Sequence, residues 1–100
     1  MKEIINHIKG AVMIDCDTVL YGIISGDVIV INEANFIVTG MINGSITIEK
    51  KSAVTINGTL NGNINNSGNC KITGIVNGDL IKNGGRFNIS SEALINKISK

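Results

Sequence analysis

One seven-residue pattern occurs four times in this chain, and few folds can accommodate it. Written as Gly, any residue, aliphatic, Ser or Asn, Gly, small polar, aliphatic, it first reads Gly22-Ile23-Ile24-Ser25-Gly26-Asp27-Val28. It returns as Gly40-Met41-Ile42-Asn43-Gly44-Ser45-Ile46, as Gly58-Thr59-Leu60-Asn61-Gly62-Asn63-Ile64 and as Gly74-Ile75-Val76-Asn77-Gly78-Asp79-Leu80. The leading glycines are 18, 18 and 16 residues apart, and a degenerate copy starts at Asn6, 16 residues before Gly22. Apolar pairs precede the motifs at Phe36/Val38, Val54/Ile56 and Cys70/Ile72, and Phe87/Ile89 continues the series. A regular period of this length marks a stacked repeat of about five turns.

Asn-Gly is also the strongest short-range hairpin signal, so a meander turning at Asn43-Gly44, Asn61-Gly62 and Asn77-Gly78 is the competing reading. Hairpins reverse direction at every turn and give neighbouring units no reason to share a phase. A parallel coil stacks equivalent residues and explains that phase directly. Counting every sixth residue from Ile24 gives Ile24, Val30, Phe36, Ile42, Ile48, Val54 and Leu60, all large and apolar. Each coil therefore has three sides of about six residues, with Ile- and Val-rich strands meeting at Gly and Asn corners expected to use positive φ. The predicted fold is an all-β, single-domain, three-sided parallel β-helix, right-handed by the crossover rule. It is expected to span residues 8–90, after an N-terminal segment of residues 1–7. Residues 91–100 form a tail in which Leu94, Ile95 and Ile98 lie at helical spacing, predicting a short capping helix.

Aligned turns predict three inward columns: Ile8/Ile24/Ile42/Leu60/Val76, Val12/Val28/Ile46/Ile64/Leu80 and Leu20/Val38/Ile56/Ile72. A corner column, Ser25/Asn43/Asn61/Asn77, suits an amide ladder from rung to rung. Asp27/Ser45/Asn63/Asp79 separates its two acids by three turns, too far to share a proton as a catalytic pair. Alternation sends Ile23, Ile29, Ile31 and Ile37 outward in turn two, with Met13 beside Ile29, and turns them polar further on. These five residues are the expected self-association patch.

Composition narrows the function. With 9 Lys/Arg against 8 Asp/Glu along 100 residues, no basic cluster suggests nucleic acid as a partner. Apolar runs such as Val28-Ile29-Val30-Ile31 are far shorter than the roughly 20 residues that cross a bilayer, and the N-terminus has no cleavable leader pattern, so a cytoplasmic location is expected. Two cysteines, Cys16 and Cys70, lie in different turns and are expected as free thiols, Cys70 in the core. His7, the one histidine, is expected at the surface, and Asp15 and Asp17 beside Cys16 as solvated loop. Neither Cys has a ligand partner at metal spacing, and Gly74-Ile75-Val76-Asn77-Gly78 lacks the lysine and helix of a phosphate loop. No catalytic, cofactor or metal site and no small-molecule substrate is expected.

The stacked Gly-x-aliphatic-Asn-Gly-x-aliphatic units, covering about residues 8 to 89, closely resemble the bactofilin family of polymer-forming bacterial cytoskeletal proteins. The resemblance implies a right-handed three-sided β-helix that joins end to end into filaments without a nucleotide. It also implies scaffolds near the inner face of the membrane, with membrane-associated or cell-wall proteins as further partners. Bactofilins usually carry Pro-rich tails outside the rod, whereas this sequence contains no proline. Two other readings remain open at this stage. One is a left-handed β-helix of the hexapeptide acyltransferase type, an enzyme that would need a placed histidine base. The other is a small interaction or inhibitor module using the Ile23/Ile29/Ile31 side. The eight repeat glycines, Gly22, Gly26, Gly40, Gly44, Gly58, Gly62, Gly74 and Gly78, carry a structural role in every reading.

Overall fold

The computed structural model describes residues 2–91 and 93–95. Its elements, in chain order, are β1 (Lys2–Ile4), β2 (His7–Lys9), β3 (Val12–Ile14), β4 (Thr18–Leu20), β5 (Ile23–Ser25) and β6 (Val28–Val30). Next come β7 (Asn35–Val38), β8 (Met41–Ile42), β9 (Ile46–Ile48), β10 (Ala53–Ile56), β11 (Thr59–Leu60) and β12 (Ile64–Asn66). The series ends with β13 (Asn69–Ile72), β14 (Ile75–Val76), β15 (Leu80–Lys82), β16 (Arg86–Ile89) and β17 (Leu94–Ile95). Among the described residues there is no helix.

Every third strand stacks on the last, always in parallel. The first face is β1-β4-β7-β10-β13-β16, the second β2-β5-β8-β11-β14-β17 and the third β3-β6-β9-β12-β15. This is a three-sided β-solenoid of about five turns, and the meander is excluded. Registers follow the aligned motifs: Ile24 pairs with Ile42, Leu60 with Val76, Val28 with Ile46 and Val54 with Cys70. All seven residues of the six-step count lie in the core, at most 1% exposed. Alternation produces this result: strand neighbours point to opposite sides, so one buried residue per side or two at its ends face the axis. At about 1.5 to 3 kcal/mol per buried aliphatic side chain, the stacked Ile, Val and Leu columns are the main source of stability.

Three expectations change. The ladder begins before residue 8, because β1 pairs with β4 through Lys2 and Thr18, Glu3 and Val19, and Ile4 and Leu20. It also extends past residue 90. Leu94 and Ile95 pair with Ile75 and Val76 as a strand, in place of the expected capping helix. Ile98 and residues 96–100 lie outside the described residues.

The third change concerns the glycines. None of the eight repeat glycines has a positive φ; among glycines only Gly10 and Gly84 do, at 102° and 83°. The repeat glycines form two columns, Gly22/Gly40/Gly58/Gly74 and Gly26/Gly44/Gly62/Gly78. A Cβ at Gly44 would overlap the carbonyl oxygen of Gly26 one rung below, and one at Gly58 that of Gly40. Close approach of successive backbones, and not left-handed geometry, therefore requires glycine here.

The third corner, between the third and first faces, is built differently. In the longer turns it closes with Ala34 N–H donating to Ile31 C=O at 3.1 Å and Ser52 N–H to Glu49 C=O at 3.1 Å. Left-handed residues Asn32, Glu33 and Lys51, with φ of 59°, 58° and 68°, make those reversals. In the next turn along the chain, only Ser67 and Gly68 separate β12 from β13. The difference between 18- and 16-residue turns is absorbed entirely at this corner.

Candidate functional site

Two kinds of surface can carry function on such a rod, its flanks and its ends. On the flanks, the corner amides form the expected ladder: Asn61 Nδ2 donates to Asn43 Oδ1 at 2.9 Å and Asn77 Nδ2 to Asn61 Oδ1 at 2.7 Å. Ser25 turns instead to His7, whose Nε2 lies 2.9 Å from Ser25 Oγ. His7 is exposed, as expected. Acids and amides beside the corners clamp the next rung: Ser45 N–H donates to Asp27 Oδ1 at 3.1 Å and Asp79 N–H to Asn63 Oδ1 at 2.9 Å. Asp17 does the same for Asn35 N–H at 3.0 Å, so it organises a corner and is more than solvated loop.

Asn66 takes over the short third corner. It stands in the column Ile14/Val30/Ile48, yet is fully buried. Its side chain donates to Arg86 C=O at 2.8 Å and accepts from Gly68 N–H at 3.0 Å. Both polar ends are thereby satisfied, which makes its burial affordable in free energy. Ser52 Oγ, at the equivalent corner one turn earlier, is buried without a hydrogen-bond partner.

Both cysteines are free, Cys16 exposed and Cys70 buried. Burial pushes the Cys70 thiol up from 9.0 to about 12, so it is an inert filler between Val54 and Phe87. Among the described residues, no group of three or more His, Cys, Asp or Glu is placed to hold a metal, and no helix is long and apolar enough to cross a membrane.

The five residues of the expected self-association patch do not share one surface. Met13 and Ile29 pair on the third face, with Ile31 at its edge. Ile23 lies on the second face between His7 and Met41, and Ile37 on the first between Val19 and Thr55. Ile31 and Ile37 are half-buried. Alternation had specified outward, but not which of three sides outward meant. Apolar exposure also does not fade along the rod. Ile5, Met13 and Tyr21 protrude near the first turns, and Ile75, Ile81 and Ile89 near the last. The middle rungs carry Thr47, Thr55, Thr59 and Asn65 at equivalent positions. Ile5 and Tyr21 were missed by sequence reasoning because they sit on a corner column, where alternation gives no direction.

At the N-terminal end, Ile4, Ile8 and Val12 are half-buried where their counterparts one turn later are fully buried. They surround an open depression of about 130 Å³ that Lys2, Met13, Asp15, Cys16 and Thr18 also border. At the opposite end, Gly68, Asn69, Lys82, Gly84, Gly85 and Arg86 border a polar depression. Lys82 occupies the column position of Ile14, Val30, Ile48 and Asn66 and is exposed, so this core column is apolar at one end and charged at the other.

Comparison with family models, with curated proteins and with solved structures finds no match for the chain.

Proposed function

We propose that this chain is a non-enzymatic, self-assembling scaffold, a bactofilin-like polymer whose principal partner is itself. The observation that carries the reading is the condition of the end rungs. Among the described residues, β1, β2 and β3 at one end, and β15, β16 and β17 at the other, each pair on one side only. An unpaired strand edge is a template for another strand, and its N–H and C=O groups are satisfied by association or by water. The half-covered Ile4, Ile8 and Val12 add an apolar contribution to covering the N-terminal end.

The repeat supports the same reading. Because each rung presents to the next what the previous rung presented to it, a second copy meets a surface of the kind already built inside the rod. In this proposal the scaffold works in the cytoplasm, where Cys16 remains a thiol. Membrane-associated or cell-wall proteins are its further partners, as the family resemblance implies.

Sedimentation velocity and light scattering over a hundredfold range of concentration, followed by electron microscopy, test the proposal. Oligomers that lengthen with concentration into filaments are the expected result. A monomer throughout the range overturns it.

A further inference from the structure

Lys71, Lys82 and Arg86 are scattered along the sequence, and the stack gathers them in one place. On the first face, β10, β13 and β16 lie side by side, pairing Ala53 with Asn69, Asn69 with Arg86, Thr55 with Lys71 and Lys71 with Asn88. These outward residues border an open depression of about 320 Å³. Lys71 and Arg86 are diagonal neighbours across it, with Cα atoms about 8 Å apart by rung spacing and strand rise. Around the third corner, the polar depression bordered by Lys82 shares Asn69 and Arg86 with the first. The two form one groove.

No acid among the described residues neutralises these cations. The only ion pair there joins Lys51 to Glu33. Glu3, the one acid on the described first face, stands in the column of Lys71 four rungs away, and Glu49 belongs to the third corner two rungs before that of Lys82. Elsewhere the molecule keeps like charges apart, as with Asp27 and Asp79 three turns distant. Gathering cations costs stability until a counter-charge offsets it. The corner beside them is held in shape by side chains, for Asn66 Nδ2 donates to Arg86 C=O at 2.8 Å and Asn83 Nδ2 donates to Asn65 Oδ1. The N–H groups of Asn83, Gly85 and Arg86 donate to backbone carbonyls, whereas that of Gly84 has no backbone partner among the described residues. Gly84 has a φ of 83° and open space where a Cβ would stand, so its backbone can be approached closely.

We propose that this groove binds a phosphate-bearing ligand, with Arg86 at its centre, Lys71 on the face and Lys82 at the corner. The proposal is independent of self-assembly. The planar fork of an arginine gives two parallel N–H bonds to phosphate oxygens, and an ammonium group adds charge from a flexible stem. A carboxylate carries one negative charge, too few for three cations, whereas a phosphate group carries up to about two and offers three acceptor oxygens. Backbone N–H groups in turns are common further donors to such oxygens, and Gly84 supplies one. Asn69 and Asn88 add exposed amide donors at the edges.

Equilibrium dialysis of the full chain against pyrophosphate at low ionic strength tests the site, beside flotation with vesicles of equal parts phosphatidylcholine and phosphatidic acid. Saturable binding of pyrophosphate identifies a soluble phosphate compound as the source, and binding to the vesicles alone identifies a lipid headgroup. Either result supports the site when Arg86→Gln weakens it about tenfold, the effect of losing one charged hydrogen-bonding partner. Arg86→Lys, which keeps the charge but not the fork, should recover part of that loss. Lys71→Gln and Lys82→Gln should each weaken binding about threefold, as expected for point charges at an exposed site. Lys50→Gln, at an exposed position of the third corner outside the groove, should leave it unchanged. Circular dichroism confirms that each variant keeps its strands. The proposal is overturned by the absence of saturable binding to both probes, by an unchanged affinity in Arg86→Gln, or by equal weakening in Lys50→Gln. Malonate bound as tightly as pyrophosphate overturns the choice of phosphate.

Discussion

The two glycine corners and the third corner solve the same problem, reversing a strand by about a third of a turn, by opposite means. At the glycine corners the rungs approach so closely that no side chain fits between backbone oxygen and Cα, and the spacing from Gly22 to Gly26 recurs unchanged down the stack. At the third corner the same path is made by Ile31–Ala34 with two left-handed residues, by Glu49–Ser52 with one, or by Ser67–Gly68 with help from Asn66. A contact that must be identical on every rung fixes both residue type and spacing. A contact satisfied locally by hydrogen bonds fixes neither.

The sharpest way to break this contrast is Gly58→Ala. The added methyl has only the Gly40 and Thr39 backbone to displace, and overpacking of this kind costs about 3 kcal/mol or more. Urea denaturation should show that loss, and a cost under about 1 kcal/mol would mean that the rungs can separate. A second test probes the core side chain that follows the variable corner. The folded Cys70 thiol keeps its proton to about pH 12, while the unfolded chain releases it above 9.0. Stability is therefore full below pH 9 and declines as pH rises towards 12, by up to a few kcal/mol. Cys70→Val, which repeats the residue at Val54, should flatten that decline in urea melts taken across the alkaline range.

Smaller effects sharpen the comparison further. Asn61→Ala removes both links of the amide ladder and should cost about 1 to 2 kcal/mol, whereas a neutral result would make the ladder ornamental. Two residues inserted between Asn32 and Glu33, both exposed at the longer third corner, should cost less than about 1 kcal/mol, since loop length is tolerated where closure is local. The same insertion between Asn61 and Gly62 should abolish the cooperative transition. Smallest of all, Lys51→Gly should change stability by a few tenths of a kcal/mol in the stabilising direction, because its φ of 68° suits glycine.

The columns were legible in the sequence because their period is physical. Residues such as Ile42 and Leu60 recur wherever the backbone returns to the same angular position, and their register follows from counting. The two ends were harder to read. Ile4 keeps the 16-residue spacing to Leu20 but lies ahead of the first copy of the motif, and Ile95 follows Val76 by 19 residues, off the period, so the pairings of β1 with β4 and of β14 with β17 did not stand out. The corner role of the glycines was misassigned for a related reason. A sequence shows that glycine recurs but not whether its φ or its missing Cβ is required, and only the stacked oxygen of the rung below decides between them. The outward isoleucines failed as one patch because a two-residue alternation carries no information about which of three sides it describes.

The amide clamp at Asn61 has a further consequence for how such molecules can vary. Its two partners, Asn43 and Asn77, are the same residue in the same place, so a winding copied in full, for instance residues 40–57, would land among neighbours it already suits. Length thus becomes a quantity adjustable in whole windings, and duplication of a segment, ordinarily ruinous to a compact domain, would here extend the molecule by one storey.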